Sequence, residues 1–325
     1  MKARLTATLA LLAVAVAGGA HAQSYPSKPV TIIVPFAAGG PTDALARAVS
    51  ERMRQALGGQ TIVIENVTGA AGSIGVTRAA RSAPDGYTIS MGHLGTHVIN
   101  GAIYSLPYDL IEDLEPVALL GSNPMLIVSK NAIPAKNLTE LIAWLKANQE
   151  KASIGTAGIG SGAHFSGLYF QSLIGTKIPY VAYRGTGPAL QDLVAGQIDL
   201  IVDQASNSLP QVQAGRIRAY GVTDTKRLAA EASIPTVDEA GLPGFHVAVW
   251  SALWVPKGTP KDIIAKLNSA VVETLADPAV RKRLGDVGVD IPAREQLTPE
   301  ALRALQKSEA AKWWPMIKAA NVKPE

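Results

Sequence analysis

Three glycine-rich turns each follow a β-branched apolar run and precede a helical pattern. They span residues 34–43, which read V-P-F-A-A-G-G-P-T-D, residues 69–73 and residues 158–162. Glycine permits the sharp turn, and a helix that begins there presents unpaired backbone N–H groups. Since these groups and the helix dipole favour negative charge, the turns predict binding of a small anion such as a carboxylate.

The third turn also fits a dinucleotide motif. Residues 158–163 read G-I-G-S-G-A, which matches G-x-G-x-x-A, and that motif requires an acidic residue about 20 positions later. Tyr183 and Arg184 stand in that neighbourhood instead. The sequence therefore predicts no nucleotide cofactor, and we expect no other cofactor.

The second turn approaches the G-x-S-x-G nucleophile elbow, with Ala71 in place of the first glycine. That signature requires a later acid and histidine, and His164 and His246 stand in no distinctive context. An exported serine hydrolase that uses Ser73 or Ser161 stays open as an alternative. A helix-start serine explains Ser73 equally well.

Other polar residues have two readings each. His93 and His97 are four residues apart, but Leu94-Gly95-Thr96 is a poor helix and no third ligand accompanies them, so we expect no metal site. His97 is instead a candidate loop histidine at a ligand cleft. Asp203 ends an apolar run and is either a ligand acceptor or a helix N-cap.

The first 22 residues have the pattern of a signal peptide. Lys2 and Arg4 precede an apolar stretch, and Ala20-His21-Ala22 supplies small residues for cleavage after about Ala22. Without Lys2 and Arg4 the chain has 28 basic and 26 acidic residues, a net charge of about +2, and no long run of one sign. We therefore expect export to the periplasm and no nucleic-acid partner. The absence of cysteine is compatible with export.

The rest of the chain predicts an α/β fold with two lobes. Strands and helices alternate twice, and loops near residues 121–124 and 241–244 separate the two blocks. We expect residues 23–122 and 246–325 to form lobe 1 and residues 123–245 to form lobe 2. Each lobe would hold a mainly parallel sheet flanked by helices, with two hinge crossovers and a ligand cleft between the lobes.

These segments together resemble the periplasmic substrate-binding proteins of tripartite tricarboxylate transporters, often called Bug receptors. The resemblance covers essentially all of the mature chain. It is carried by ordered matches at residues 25–29, 34–43, 65–66, 69–75, 84–88, 95–100, 183–185, 188–190, 196–200 and 234–241.

The resemblance implies a type II periplasmic binding protein fold and a non-catalytic receptor that delivers its ligand to membrane permease subunits. We expect the protein to be a monomer. It implies that backbone groups of the first loop hold a carboxylate, often through ordered waters. The implied binding residues are Phe36, Ala37, Ala38 and Gly39, with Thr42 and Asp43 behind them, and facing them Gly72, Ser73, Thr96, His97, Thr156, Ser161, His164, Tyr183, Arg184, Gly185 and Asp203.

The identity of the ligand stays open at this stage. Where Arg184 stands, the family commonly has lysine or another residue, and a guanidinium can pair with a second carboxylate. Asp203 would instead favour a ligand with an ammonium group. A di- or tricarboxylate, an acidic amino acid and an aromatic acid all remain possible, as does a sensory role in which the receptor docks on a signalling partner.

Overall fold

The computed structural model describes residues 25–319 and residue 322. The predicted signal peptide, residues 1–22, lies outside the described residues. Within them, the strands are β1 (Val30–Val34), β2 (Ile62–Asn66), β3 (Thr88–His93), β4 (Leu114–Lys130), β5 (Ile154–Thr156), β6 (Tyr180–Ala182), β7 (Leu200–Gln204), β8 (Ile217–Val222) and β9 (Ala248–Pro256).

The helices lie between these strands and after them. They are α1 (Pro41–Ala56), α2 (Ser73–Ala80), α3 (Asn100–Ile103), α4 (Leu138–Ala147), α5 (Gly162–Ile174), α6 (Thr186–Val194), α7 (Ala205–Gln213), α8 (Lys261–Ala276), α9 (Pro278–Gly285) and α10 (Pro299–Ala319). Short 3-10 turns occupy Ala70–Gly72 and Arg294–Leu297, and a π-helix occupies Gly95–Ile99.

The first lobe is built on the strand order β2-β1-β3-β9-β4. Strand β1 is parallel to β2 and β3, whereas β9 is antiparallel to both β3 and the first part of β4. Four of the five residues of β1 are buried, as expected for a β-branched run covered on both faces. Helices α1, α8 and α9 pack against this sheet around a core that includes Met53, Met91 and Leu267.

The second lobe begins inside strand β4. Residues Met125 to Ser129 pair antiparallel with β7, Leu126 to Lys130 pair antiparallel with β8, and β5 is parallel to β7 and β6. The two lobes are therefore joined by one uninterrupted strand and by the return segment that leads into β9. The expected two-lobed α/β fold is confirmed, and each lobe combines three parallel strands with antiparallel ones.

The C-terminal helix α10 returns to the first lobe. Gln306 Nε2 donates hydrogen bonds to the carbonyls of His97 (2.8 Å) and Leu110 (3.0 Å), and Trp314 Nε1 donates to Val98 O (2.8 Å). These donors bind carbonyls in and beside the π-helix, a wide turn that replaces the α-helix at a segment whose sequence is a poor α-helix former. The ring of Trp313 meets Phe165 of α5 edge-on, with centroids 4.6 Å apart, so α10 also contacts the second lobe.

Among residues 25–319 and 322, no helix combines the length and the apolar character needed to cross a membrane.

Candidate functional site

Two adjoining cavities lie between the lobes, and Phe36 and Ala157 line both of them. The inner cavity is very small, about 20 Å³, and is lined by Phe36, Gly40, Pro41, Thr42, His93, Ala157, Ser161, Gly162, Ala163, Thr186 and Gln204. The outer cavity is about 630 Å³ and is lined by Phe36, Ala37, Gly69, Ala70, Ala71, Gly72, Tyr104, Ala157, Gly158, Ile159, Ala182, Tyr183, Arg184 and Pro188. The inner cavity has room for about one water molecule or one ligand oxygen, and the outer one has room for a small molecule.

Three helices begin at the inner cavity. Thr42 lies in the first turn of α1, Gly162 opens α5, and Thr186 opens α6. The first turn of each helix has backbone N–H groups without an intrahelical acceptor, and each helix carries its positive dipole end there. Helix α1 comes from the first lobe, and α5 and α6 come from the second. The convergence of three positive helix ends makes the cavity suited to an anion.

His93 supplies a neutral donor at the same place. Its Nδ1 accepts the backbone N–H of Gly95 at 2.9 Å, so the ring proton is assigned to Nε2. The ring stacks on Phe36, with centroids 5.1 Å apart, and burial lowers the pKa of His93 to about 4. None of the side chains that line the inner cavity is therefore charged at neutral pH.

Hydrogen bonds to the side chain of Asp43 fix the conformation of the loop of residues 36–40. Its carboxylate accepts the N–H of Gly39 (3.0 Å), two bonds from Arg47 (2.9 and 3.0 Å) and one from Asn66 (3.0 Å). Asn66 Nδ2 also donates to Phe36 O (2.9 Å). Burial by itself raises the pKa of Asp43, but these hydrogen bonds outweigh it and hold the pKa below its usual value. Asp43 thus orients the loop and does not face a ligand.

The two lobes meet closely around the cavities. The N–H of Ala37 donates to Arg184 O at 2.9 Å, and Tyr104 Oη donates to Ile159 O at 2.6 Å. Gly187 lies so close to the loop that a Cβ added there would be 3.0 Å from Gly39 C and Gly40 N. The structure is therefore a closed form in which backbone packs on backbone.

Arg184 lines the mouth of the outer cavity. Its side chain is exposed, and no hydrogen-bond or ion-pair partner is found for it in the part of the chain that the structure describes. The Tyr183 hydroxyl beside it donates a hydrogen bond to Asp192 at 2.7 Å. Burial, and to a smaller extent this carboxylate, raises the pKa of Tyr183 to about 12. Arg184 is thus available for a second negative group.

The structure brings only part of the sequence-predicted site together. Phe36, Thr42 and Ser161 line the inner cavity, and Ala37, Gly72, Tyr183 and Arg184 line the outer one. The other predicted residues line neither cavity; they are Ala38, Gly39, Asp43, Ser73, Thr96, His97, Thr156, His164, Gly185 and Asp203.

Both of the predicted histidines lie away from the cavities. The ring of His97 stacks on Trp254 at 3.8 Å, and Thr96 Oγ1 (2.9 Å) and Ser90 Oγ (3.3 Å) bond its nitrogens. His164 lines a separate apolar cavity between α5 and α10. Both rings are buried because each histidine lies on a helical turn, after the end of a strand, that directs its side chain inward.

Other predicted groups have their polar atoms occupied by the protein. Ser73 Oγ accepts from Asn100 (3.0 Å), Thr156 Oγ1 accepts the N–H of Gly158 (3.1 Å), and Ser161 Oγ caps α5 by accepting the N–H of His164 (3.2 Å). Gly185 contacts the backbone of Ala37, and Ala38 is exposed at the loop tip. Asp203 is fully buried, with Oδ2 bonded to Asn207 and Ser208.

Neither serine proposed as a nucleophile contacts a histidine ring in the hydrogen bonds of the described residues. Ser90 of β3 does contact the ring of His97, but both residues are buried. A nucleophile needs both a base and access to substrate, so this geometry does not favour hydrolysis.

Sequence reasoning missed His93, Thr186 and Gln204, which line the inner cavity. His93 ends β3 and Gln204 ends β7. Since ligands bind beyond the carboxyl ends of parallel strands, the last residue of each strand was the available signal.

Comparison with known proteins identifies the family. A sequence profile described as the tripartite tricarboxylate transporter family receptor matches residues 45–322. The chain belongs to this receptor family. The resemblance drawn from the sequence is thereby confirmed.

Solved structures of similar receptors share the whole fold. The periplasmic binding protein BugD is 39% identical and superposes with a TM-score of 0.89, covering 93% of this chain and 100% of its own. MatC from Rhodopseudomonas palustris, solved with malate, is 41% identical with a TM-score of 0.87, covering 90% of this chain and 100% of its own. A second R. palustris protein, solved with adipate, is 32% identical with a TM-score of 0.87 and coverages of 93% and 100%.

Proposed function

We propose that this protein is a periplasmic receptor that captures a small organic dicarboxylate and releases it unchanged. The observation that carries the proposal is the inner cavity, where three helix N-termini converge without any charged side chain. One ligand carboxylate would bind against this cavity, with one oxygen or one bridging water inside it and with backbone N–H groups and His93 Nε2 as donors.

The outer cavity favours a second carboxylate over an uncharged tail. Arg184 stands at its mouth with no partner among the described residues, and a guanidinium binds a carboxylate through two parallel hydrogen bonds. The two relatives described above with ligands hold malate and adipate, which are both dicarboxylates. An acidic amino acid is less well served, since Asp203 is buried and does not line either cavity.

A thermal-shift screen followed by calorimetry tests the proposal. Malate, succinate, adipate, citrate, aspartate and benzoate would each be added to the mature protein. A ligand at a hundred times its Kd stabilises the folded state by about 2.7 kcal/mol, which gives a clear rise in Tm. The proposal fails if none of the acids raises Tm or releases heat. Recovery of the bound acid unchanged after long incubation, checked by mass spectrometry, separates a receptor from an enzyme.

The proposal extends to the cellular setting. We infer cleavage after about Ala22, a monomer in the periplasm, and delivery to the permease subunits of a tripartite tricarboxylate transporter. Membership in the family supports this setting. Deleting the gene would abolish uptake of the labelled ligand; if uptake persists and only induction of other genes is lost, the receptor serves a signalling partner instead. Mass spectrometry of the exported chain locates the cleavage.

We also propose lobe boundaries at residues 122/123 and 245/246. Support comes from strand β4, which pairs with β9 up to Pro124 and with β7 and β8 from Met125. Structures of open and closed forms would locate the residues whose backbone angles change.

A further inference from the structure

Asp203 is a buried carboxylate that the proposed capture of a ligand leaves unexplained. It lies one residue before Gln204, which lines the inner cavity, and its side chain is fully buried. Oδ2 accepts hydrogen bonds from Asn207 Nδ2 and Ser208 Oγ, both at 2.6 Å. Oδ1 is also buried and has no partner in the part of the chain that the structure describes. Asn207 in turn reaches Thr186, another residue that lines the inner cavity, at 3.4 Å.

Within the part of the chain that the structure describes, no cation compensates this carboxylate. On the elements packed against β7, Lys130 of β4 pairs with Asp199 outside the amino end of β7 (2.7 Å), and Glu115 of β4 pairs with Arg303 in the first lobe (3.0 Å). Asp192 of α6 accepts the Tyr183 hydroxyl. The sequences of β5 and α7 contain no charged residue, and burial lowers the pKa of His164 of α5 to about 4, so it is neutral.

An isolated buried carboxylate favours its protonated form. Burial raises the pKa of Asp203 to about 6, and the side chains of Ser208, Asn207 and Thr186 and the backbone of Gln204 only partly oppose this rise. At neutral pH the group is therefore mostly ionised in the empty protein but needs little additional free energy to bind a proton. A second negative charge in the adjoining cavity, shielded from water by the closed lobes, disfavours the ionised form further.

We propose that Asp203 is a proton site coupled to ligand capture, so that one proton from solvent binds Asp203 Oδ1 when a ligand carboxylate enters the inner cavity. The inference rests on the proposed function, because it needs an anion in that cavity. It makes the captured species a carboxylate plus a proton. The protonated Oδ1 then becomes a donor, whereas the ionised Oδ1 is an acceptor without a partner.

Linkage fixes the sign of the pH dependence. Because the complex binds more protons than the free protein, affinity is higher at low pH and falls as the pH rises. If the ligand raises the pKa of Asp203 by two units, the affinity falls about twentyfold between pH 6.5 and 8.5. Aliphatic dicarboxylates are ionised throughout this range, and burial keeps His93 and His164 neutral with pKa values of about 4.

Titration calorimetry of the mature protein with malate or adipate tests the proposal. At pH 7 the heat would be measured in phosphate and in Tris, whose ionisation enthalpies differ, which gives the number of protons taken up per ligand. We expect close to one for the wild type and close to zero for Asp203→Asn. The variant should also bind with the same affinity from pH 6.5 to 8.5, and at pH 8.5 at least as tightly as the wild type.

Asp290→Asn is the matched control. Partial desolvation and Asp224 raise the pKa of Asp290, the other carboxyl with a raised pKa among the described residues, but it lies away from both cavities. This variant should retain the wild-type proton uptake. A purely structural role of Asp203 would lower the affinity of Asp203→Asn equally at every pH.

The outcomes separate the two proposals. If neither acid binds, the proposed dicarboxylate capture is wrong. If an acid binds but the wild type takes up no proton at pH 7, only the coupling is overturned. This second result needs the wild-type protein alone, so it decides the matter even if Asp203→Asn does not fold.

Discussion

At the scale of single residues, the inner cavity works through neutral donors, and Thr42 is the simplest one to test. Its hydroxyl lines the cavity and has no hydrogen-bond partner among the residues described. Thr42→Val keeps the shape and removes the hydroxyl. We expect about 1 kcal/mol weaker binding, a rise in Kd of about fivefold, with little change in Tm, because no protein hydrogen bond is lost. Calorimetry with malate or adipate measures the Kd.

Thr176→Val is the control for that substitution. Thr176 is also buried with an unpartnered hydroxyl, but it lies beyond the end of α5, away from the cavities. It should leave the Kd unchanged. An equal loss of affinity in both variants would mean that Thr42 acts through packing and not through its hydroxyl.

Asp43 stabilises the folded protein through its hydrogen bonds at the loop of residues 36–40. Its pKa is lower in the folded chain than in the unfolded chain, because Arg47, Gly39 and Asn66 bond the carboxylate against the opposing effect of burial. The stabilisation is therefore present above the unfolded pKa of about 4 and is lost as the pH falls through the folded value. We expect Asp43→Asn to lower the free energy of unfolding by about 1–3 kcal/mol at pH 7, with the deficit shrinking below pH 4. Urea unfolding at pH 7 and pH 3 measures both values; a deficit that does not depend on pH would contradict the explanation.

The residues that local sequence chemistry predicts most directly are those near the first turn. The run from Val30 to Asp43 announces a strand, a turn and a helix start by local chemistry alone, and Phe36 and Thr42 do line the cavity. His93 and Gln204 carry a weaker signal, since each is the last residue of its strand. The sequence does not show that these two strand ends meet at one cavity, because that cavity lies between the two lobes.

At the scale of elements, the same limit shows in strand β4. The sequence indicates a strand from Met125 to Val128, whereas β4 runs from Leu114 to Lys130. Pro116 and Pro124 argue against a central strand, since proline removes a ladder donor. The structure accommodates Pro116 at a register shift, and Pro124 ends the pairing with β9 where the lobes meet. Tertiary pairing overrides the local signal at both positions.

Helix α6 controls how closely the lobes approach. Gly187 lies in its first turn with helical backbone angles, so alanine suits the helix, but the added Cβ would meet Gly39 and Gly40 of the opposite lobe at 3.0 Å. We expect Gly187→Ala to fold normally and to bind at least tenfold more weakly, because the closed form is blocked. Calorimetry gives the affinity, and small-angle scattering should show no ligand-induced compaction.

Gly285→Ala serves as the matched control for Gly187→Ala. Gly285 ends helix α9, and nothing lies within 4 Å of an added Cβ. Its affinity should equal that of the wild type, and the loss of a helical glycine should slightly raise Tm. Wild-type affinity in Gly187→Ala would show that the lobes can close with that Cβ in place.

At the scale of the whole molecule, we expect ligand binding and lobe closure to be coupled. Donors from both lobes line the cavities, and α10 of the first lobe also contacts α5 of the second. We expect both contacts to form when the lobes close. A ligand favours the closed form only as far as it binds that form better. The contact between α10 and α5 should therefore differ between the ligand-free and the ligand-bound protein, although neither helix surface there touches the ligand.

The fluorescence of Trp313 can detect this difference. Its ring lies 4.6 Å from Phe165, its indole N–H donates to Glu309 within α10 (2.7 Å), and it is nearly fully buried. If empty lobes open, this ring gains contact with water, so adding malate or adipate should shift tryptophan emission to shorter wavelength. Trp313→Phe should lose the shift yet keep its calorimetric affinity within about threefold, since phenylalanine retains an edge contact. Trp144→Phe, on helix α4 of the second lobe, should keep the shift because that helix lies away from the cleft. If Trp313→Phe keeps the ligand-induced shift in tryptophan emission, closure does not move α5 relative to α10. The hinge would then lie outside the return segment into β9.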